Sequence, residues 1–289
     1  MANSGLNYYW ARLNIAERLI AINVLVFILA GLCQVLFLID VSDWFHLPKE
    51  FNEFIFQPWG IVTYSFFHGG FWHLLFNMVF LYFAGRMVLN LFQPKTFLSV
   101  YFLGAILGGL IFLLSYNLFP GLVGSRTPGL VGASAGVISV LIFICAYIPN
   151  QEVRLFGLFN IKLWYIGAFF VLMDLIQIRT GDNVGGKLAH LGGAFLGFLY
   201  ARQLMKGNDI GSGFEKLMDG LGGIFARKEK KSPLKTVYKN AQEGSKNANY
   251  DKAVRQKKID TILDKISKSG YESLSKAEKD FLFKAGKED

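Results

Sequence analysis

Between Leu19 and Met205 the chain returns six times to apolar stretches, at about Leu19–Leu38, Phe71–Leu91, Phe97–Tyr116, Ser134–Ile148, Trp164–Ile178 and Ala189–Met205. Each approaches the ~20 residues that a helix needs to cross a hydrocarbon core, the fourth and fifth being short. Charge avoids this region. The first 200 residues carry 10 Lys/Arg and 8 Asp/Glu, whereas the last 89 carry 20 and 13, and with them +7 of the total +9. A soluble globule does not concentrate its charge this way, and a disordered chain is not this apolar. The pattern predicts an all-α polytopic bundle of six transmembrane helices with a small helical soluble tail. Its expected divisions are residues 1–18 (cytoplasmic N-terminus), 19–205 (membrane domain), 206–250 (basic amphipathic or linker segment) and 251–289 (helical cytoplasmic module).

Other classes fall away. Cys33 and Cys145 both lie in apolar runs, which excludes a disulfide framework and a cysteine metal site. The tail's lysines alternate with acids and accompany no nucleic-acid signature, so no nucleic-acid partner is expected. A basic segment beside a membrane domain is more simply cytoplasmic and faces anionic lipid. No small-residue cleavage signal follows Leu38, where Asp40 and Asp43 stand, so the first span is read as retained.

Lysine and arginine placement sets the expected orientation. With the N-terminus inside, Arg12, Arg18, Arg86, Lys95, Arg154 and Lys162 are cytoplasmic, against Lys49, Arg126, Arg179 and Lys187 outside. An even number of spans also puts the basic tail inside, giving both termini cytoplasmic. From Asp40 to Gly70, aromatic rings (Trp44, Phe45, Phe51, Phe54, Phe56 and Trp59 among them) mixed with acids read as a segment lying in the membrane interface. Past the last span, Phe214, Leu217, Met218, Leu221, Ile224 and Phe225 repeat at helical spacing and lead into the basic cluster 227–231. That is a surface helix or a mobile linker. Beyond Pro233, Ile259, Ile262, Leu263 and Ile266 form one stripe, and Ser275 with Glu278 makes a capping box for a second helix. So small a hairpin calls for an unknown partner surface.

Polar groups inside spans are expensive and tend to be functional. Those here are His73, Asn77, Ser134, Asp174 and His190. The second, fourth and sixth spans run from outside to inside, and His73, Ser134 and His190 each stand near the start of one. All three therefore share a depth just below the outer surface, each expected at a helix N-terminus where the dipole favours developing negative charge. Gly132 and Gly136 flank the serine with open space, while His190, Gly193 and Gly197 share one helix face in a small-xxx-small pattern that permits close packing. Contact of that face with Gly136 would bring His190 to Ser134, giving a nucleophile and a base for acyl transfer. His73 and Asn77, at i and i+4, can both donate to an oxyanion. Taken singly, such a serine is more often a cap, and such a histidine a packing residue. His68 with His73 lacks further ligands at metal spacing, so no metal is expected. Asp174, without a second acid, reads as hydrogen-bonded in the bundle.

The order His73-xxx-Asn77, Gly132-Ala133-Ser134, then Ala189-His190-xx-Gly193-xxx-Gly197 strongly resembles the rhomboid intramembrane serine proteases over about residues 15–205. The resemblance implies Ser134 as nucleophile, His190 as general base without a third acidic member, and an oxyanion hole from His73, Asn77 and the Ser134 N–H. It implies transmembrane helical substrates cut near their outer ends, no cofactor, and a tail like that of some bacterial rhomboids in an inner membrane. This chain differs where members often have Gly (Ala135), an aromatic (Ile138) or Trp-Arg (Trp59-Gly60), which bears on rate and substrate choice. Without an orienting carboxylate the imidazole is expected to be held by packing alone. The alternative reading is a catalytically silent rhomboid-like protein that binds or routes membrane clients. A channel or transporter lacks the charged rings or broken helices it needs.

Overall fold

The computed structural model describes residues 5–123, 129–155, 159–179, 181, 183–225 and 242–285. A short helix α1 (Leu6–Arg12) leads into α2 (Ile15–Phe37), which Asn14 and Glu17 open with a reciprocal capping box. Two short helices, α3 (Phe51–Phe56) and α4 (Gly60–Thr63), precede α5 (Phe71–Leu89) and α6 (Pro94–Leu118). Then come α7 (Ser134–Tyr147), α8 (Leu163–Ile178) and α9 (Val184–Met205). The six expected spans thus correspond to α2 and α5–α9. Three of them (α2, α5 and α6) are long and apolar enough to cross a membrane, and α7 and α8 are shorter apolar helices.

One element departs from the all-helical expectation. Strands β1 (Glu152–Leu155) and β2 (Phe159–Lys162) form an antiparallel ribbon between α7 and α8, pairing Glu152 with Lys162. The polar stretch after Pro149 cannot lengthen an apolar helix, and two backbones that leave α7 and enter α8 satisfy each other instead.

The shortest bundle helix is its axis. Every residue from Ala135 to Cys145 in α7 is buried, ringed by α5, α6, α8 and α9. Small residues set the spacing. A methyl group on Gly193 or Gly197 of α9 would collide with the carbonyl oxygens of Ala135 and Ser139 respectively. Both contacts step four residues in the same direction, so α7 and α9 run parallel. On α6, Gly104 meets Ser139 and Gly108 meets Ala135, the reverse order, so α6 is antiparallel to α7. Gly136 faces Tyr101 of α6, where a methyl group would press within 2.9 Å of the ring and of the Tyr101 carbonyl, and not α9 as the sequence reading supposed. The outer surface of α2 is largely apolar, with Leu25, Leu29, Leu32 and Val35 exposed. An apolar flank of this kind belongs against lipid.

Between α2 and α5 the chain folds back as a belt. Leu47 is fully buried and pairs its backbone with Leu130 in both directions, while Trp44, Phe56 and Trp59 are exposed. The Trp59 indole donates to the Trp44 carbonyl at 2.8 Å, and the buried Tyr64 hydroxyl donates to the Ala105 carbonyl of α6 at 2.7 Å.

The chain divides into two compact units, Met1–Ala226 and Arg227–Asp289. The first includes α10 (Ser212–Phe225), which joins α6 through Lys95–Asp219 at 2.6 Å and Phe214 against Phe102. The basic cluster 227–231 lies outside the described residues. In the second unit α11 (Gln242–Ser269) is followed by α12 (Lys276–Ala285). Ser275 and Glu278 form the expected capping box, and Lys265 reaches Glu278 at 3.0 Å. Ile262 and Leu274 are buried there, whereas Leu263 and Phe283 are exposed.

Candidate active site

Four backbone contacts deliver Ser134 to its place. Leu47 and Leu130 exchange hydrogen bonds of 3.0 and 2.9 Å, Gly132 N–H donates to Tyr64 O at 3.0 Å, and Ala133 N–H donates to His68 Nε2 at 3.4 Å. Two of these come from a short two-way pairing, and the others pin each residue before the serine to the belt. Gly132 sits at φ +132°, where a side chain is strained, and a methyl group there would lie 2.8 Å from His73 Nε2. Glycine is required twice over at this point. The result is that Ser134 is the first residue of α7, where a backbone N–H has no partner within the helix.

His68 is the residue the sequence reading undervalued. Burial, and after it the neighbouring His73, push its imidazole down to about 3, so the ring is neutral. Its Nε2 accepts from Ala133, which leaves the proton on Nδ1. The His68 and His73 rings meet edge to face at 5.2 Å. Two histidines five residues apart, one before and one inside α5, thereby grip the glycine–alanine step ahead of the serine.

A cavity of about 380 Å3 opens beside Ser134. Its wall includes Ser134, His190, His73 and Asn77, so the four residues proposed from spacing line one space. Asn77 is 6% exposed, and its amide donates one hydrogen to His73 O at 2.8 Å, leaving the second unassigned. Apolar rings from α5 and α8 close the rest. Phe80 and Phe170 meet edge on, with centroids 4.9 Å apart. Val137 and Ile138 of α7 form the floor on the serine's own helix. Ala135 places its methyl against Gly108.

Two expectations need correction. Helix α9 begins at Val184, capped by the Asn183 side chain, not at Ala189. His190 therefore stands about two turns inside the helix, and the N-terminal dipole acts on Ser134 and His73 but not on His190. Nor is the imidazole held by packing alone. His190 Nδ1 lies 3.1 Å from each carboxylate oxygen of Asp174, on α8. The same carboxylate is 3.4 Å from Lys187 Nζ, and Lys187 and His190 share a face of α9 at i, i+3. Asp174 was foreseen as hydrogen-bonded, but its partner was not.

In chemical terms the space offers a hydroxyl at a helix start, an imidazole whose outer nitrogen is engaged by a carboxylate, and donors on the facing helix. That set is suited to attack on a carbonyl and to stabilising the resulting oxyanion.

Comparison with known proteins gives the same neighbourhood. Residues 56–207 match the Rhomboid domain, and residues 246–285 match a family of unknown function, DUF6576. The chain is 30% identical over 159 residues to RHOMBOID-like protein 12, mitochondrial, of Arabidopsis thaliana (51% of this chain, 46% of the relative). It is 30% identical over 173 residues to Rhomboid-like protease 3 of Toxoplasma gondii (59% and 61%). With Rhomboid protein 1, mitochondrial, of Saccharomyces cerevisiae it shares 27% over 198 residues (67% and 54%). The chain spans about half the length of the curated relatives it matches.

Proposed function

Since this chain belongs to the rhomboid family and is an integral membrane protein, we propose that it is an intramembrane serine endopeptidase acting on transmembrane helical proteins. The observation that carries the reading is the shared cavity: Ser134, His190, His73 and Asn77 come from three helices and line one space. In this reading Ser134 Oγ attacks the scissile carbonyl while His190 Nε2 takes its proton. The Ser134 N–H, His73 and Asn77 receive the oxyanion. His190 then returns the proton to the leaving amine, and water repeats the cycle on the acyl-enzyme. The belt and the aromatic rings at the cavity's edge support entry of a substrate segment that has first unwound from its helix. We place both termini on the cytoplasmic side and the protein in a bacterial-type inner membrane, on the strength of its basic tail.

The test is labelling of purified, bilayer-reconstituted protein with a fluorophosphonate, mapped by mass, beside cleavage of a helical membrane substrate. Ser134→Ala and His190→Ala are expected to abolish both while the fold persists. His73→Ala and Asn77→Ala are each expected to cost about 10²–10³ in rate. Cleavage retained in Ser134→Ala, or folded wild type that never acquires the adduct, would overturn the proposal in favour of a silent client-binding protein.

A further inference from the structure

Resting on the protease reading above, we propose that Asp174 is a positioning residue for His190, so that the site works as a Ser134–His190–Asp174 triad with Lys187 steadying the carboxylate. A neutral imidazole has one N–H and one lone pair. Both Asp174 oxygens lie 3.1 Å from His190 Nδ1, and an ionised carboxylate can only accept. The proton is therefore fixed on Nδ1, and the lone pair is left on Nε2, the nitrogen that must face a hydroxyl to act as base.

Burial makes this arrangement selective. Asp174 is 6% exposed, and among the described residues it is the acid on the cavity wall. A carboxylate removed from water needs a cation to stay ionised. Lys187 supplies it at 3.4 Å from Oδ1. Because Lys187 and His190 project from one face of α9, they close on the same carboxylate from two sides and fix its rotation. The charged and titratable groups turned toward His190 are Asp174 from α8, Lys187 from α9 and His73 from α5, with Ser134 from α7.

The proton inventory balances without Asp174 changing state. During attack the Oγ–C bond forms and the Oγ proton passes to Nε2, making an imidazolium that the carboxylate stabilises. When the C–N bond breaks, that proton leaves with the amine. Nδ1 keeps its own proton throughout, as in soluble triads where the acid orients and does not accept.

The test uses full-length protein in bilayers with Asp174→Asn, which keeps the volume of the side chain, and Lys187→Met. Three readouts are taken: kcat and KM on a helical substrate, the acylation rate of Ser134, and the 15N shifts of His190, which report its tautomer. An asparagine can turn its N–H toward Nδ1 and drive the proton to Nε2. We expect kcat and acylation to fall about 10²–10⁴-fold with KM within about threefold of wild type, and the Nδ1–H signature to be lost. Lys187→Met is expected to fall less, through a poorly held carboxylate. A folded Asp174→Asn with wild-type kcat and an unchanged tautomer would overturn the proposal. So would equal losses in kcat and KM with a lowered Tm in both variants, since Asp174 would then be only a strap between α8 and α9. If wild type never labels at Ser134, the protease reading fails instead, and the tautomer measurement still decides whether Asp174 orients His190.

Discussion

His68 ties the chemistry of one ring to the placement of another side chain. Its pKa in the fold, about 3, lies below the ordinary 6.5 because burial opposes the charged form. The sign follows directly. The unfolded chain binds a proton below about 6.5 and the folded chain does not, so stability is complete above that pH and declines as pH falls toward 3, at up to about 1.4 kcal/mol per unit. The expected outcome is a Tm that drops on acidification from pH 6.5 to 4, with a shallower slope in His68→Gln. Parallel slopes in the two proteins would refute it. Residues of the site differed in how visible they were from sequence. Ser134, His190, His73 and Asn77 announced themselves because costly polar groups stood at matching depths. Asp174 was marked with them, but its tie to His190 was not, because it sits 16 residues before His190 on another helix and had no acidic partner. The available signal was symmetry about the α8–α9 turn. Asp174 lies a little over a turn before it and His190 two turns after it, so at ~1.5 Å per residue the two stand at similar heights on neighbouring helices.

Helices α6, α7 and α9 approach until backbone meets backbone, and this seam carries the serine and the histidine. Replacing Gly193 by Val puts carbon onto the Ala135 carbonyl, one residue from the nucleophile. Overpacking of that kind typically costs about 1–3 kcal/mol. Gly193→Val is expected to lower Tm and to slow Ser134 acylation more than the Tm loss alone explains, because α9 must move away from α7. Gly213→Ala in α10, where a methyl meets nothing within 4 Å, is the control expected to change neither. Equal behaviour of the two variants would refute the seam argument. Much of this level was legible. Apolar length located all six bundle helices, and the Gly193/Gly197 spacing marked the contact face. The partner on α7 was misassigned to Gly136, since a small residue permits an approach without saying from which side. The start of α9 was set too late because Gly185, Gly186 and Lys187 lower its apolarity while the helix continues through them. The β1–β2 ribbon was missed because its four-residue strands have too little alternation to register.

At the level of the whole molecule, the sequence division into an apolar body and a charged tail rests on the solvent each part requires, and solvent preference is what composition records best. Orientation is a separate matter. On the proposed topology an even number of spans puts both termini in one compartment, which the basic tail assigns to the cytoplasm. In a background lacking Cys33 and Cys145, a cysteine at Ser42 is expected to react with an impermeant maleimide in intact cells, and one at Ser267 only after permeabilisation. The opposite pattern would invert the assignment of inside and outside, and with it the face from which substrates are cut.

Ser134 stands between two settings. Behind it, where α6, α7 and α9 meet, main chain lies against main chain and even a methyl is refused, so that side tolerates almost no variation. On the other, the rings and thioether of Phe76, Phe80, Phe169, Phe170 and Met173 can be exchanged without disturbing the hydroxyl or the imidazole. On the protease reading, any preference among substrates is written on that apolar side, which makes α5 and α8 the place to rewrite it.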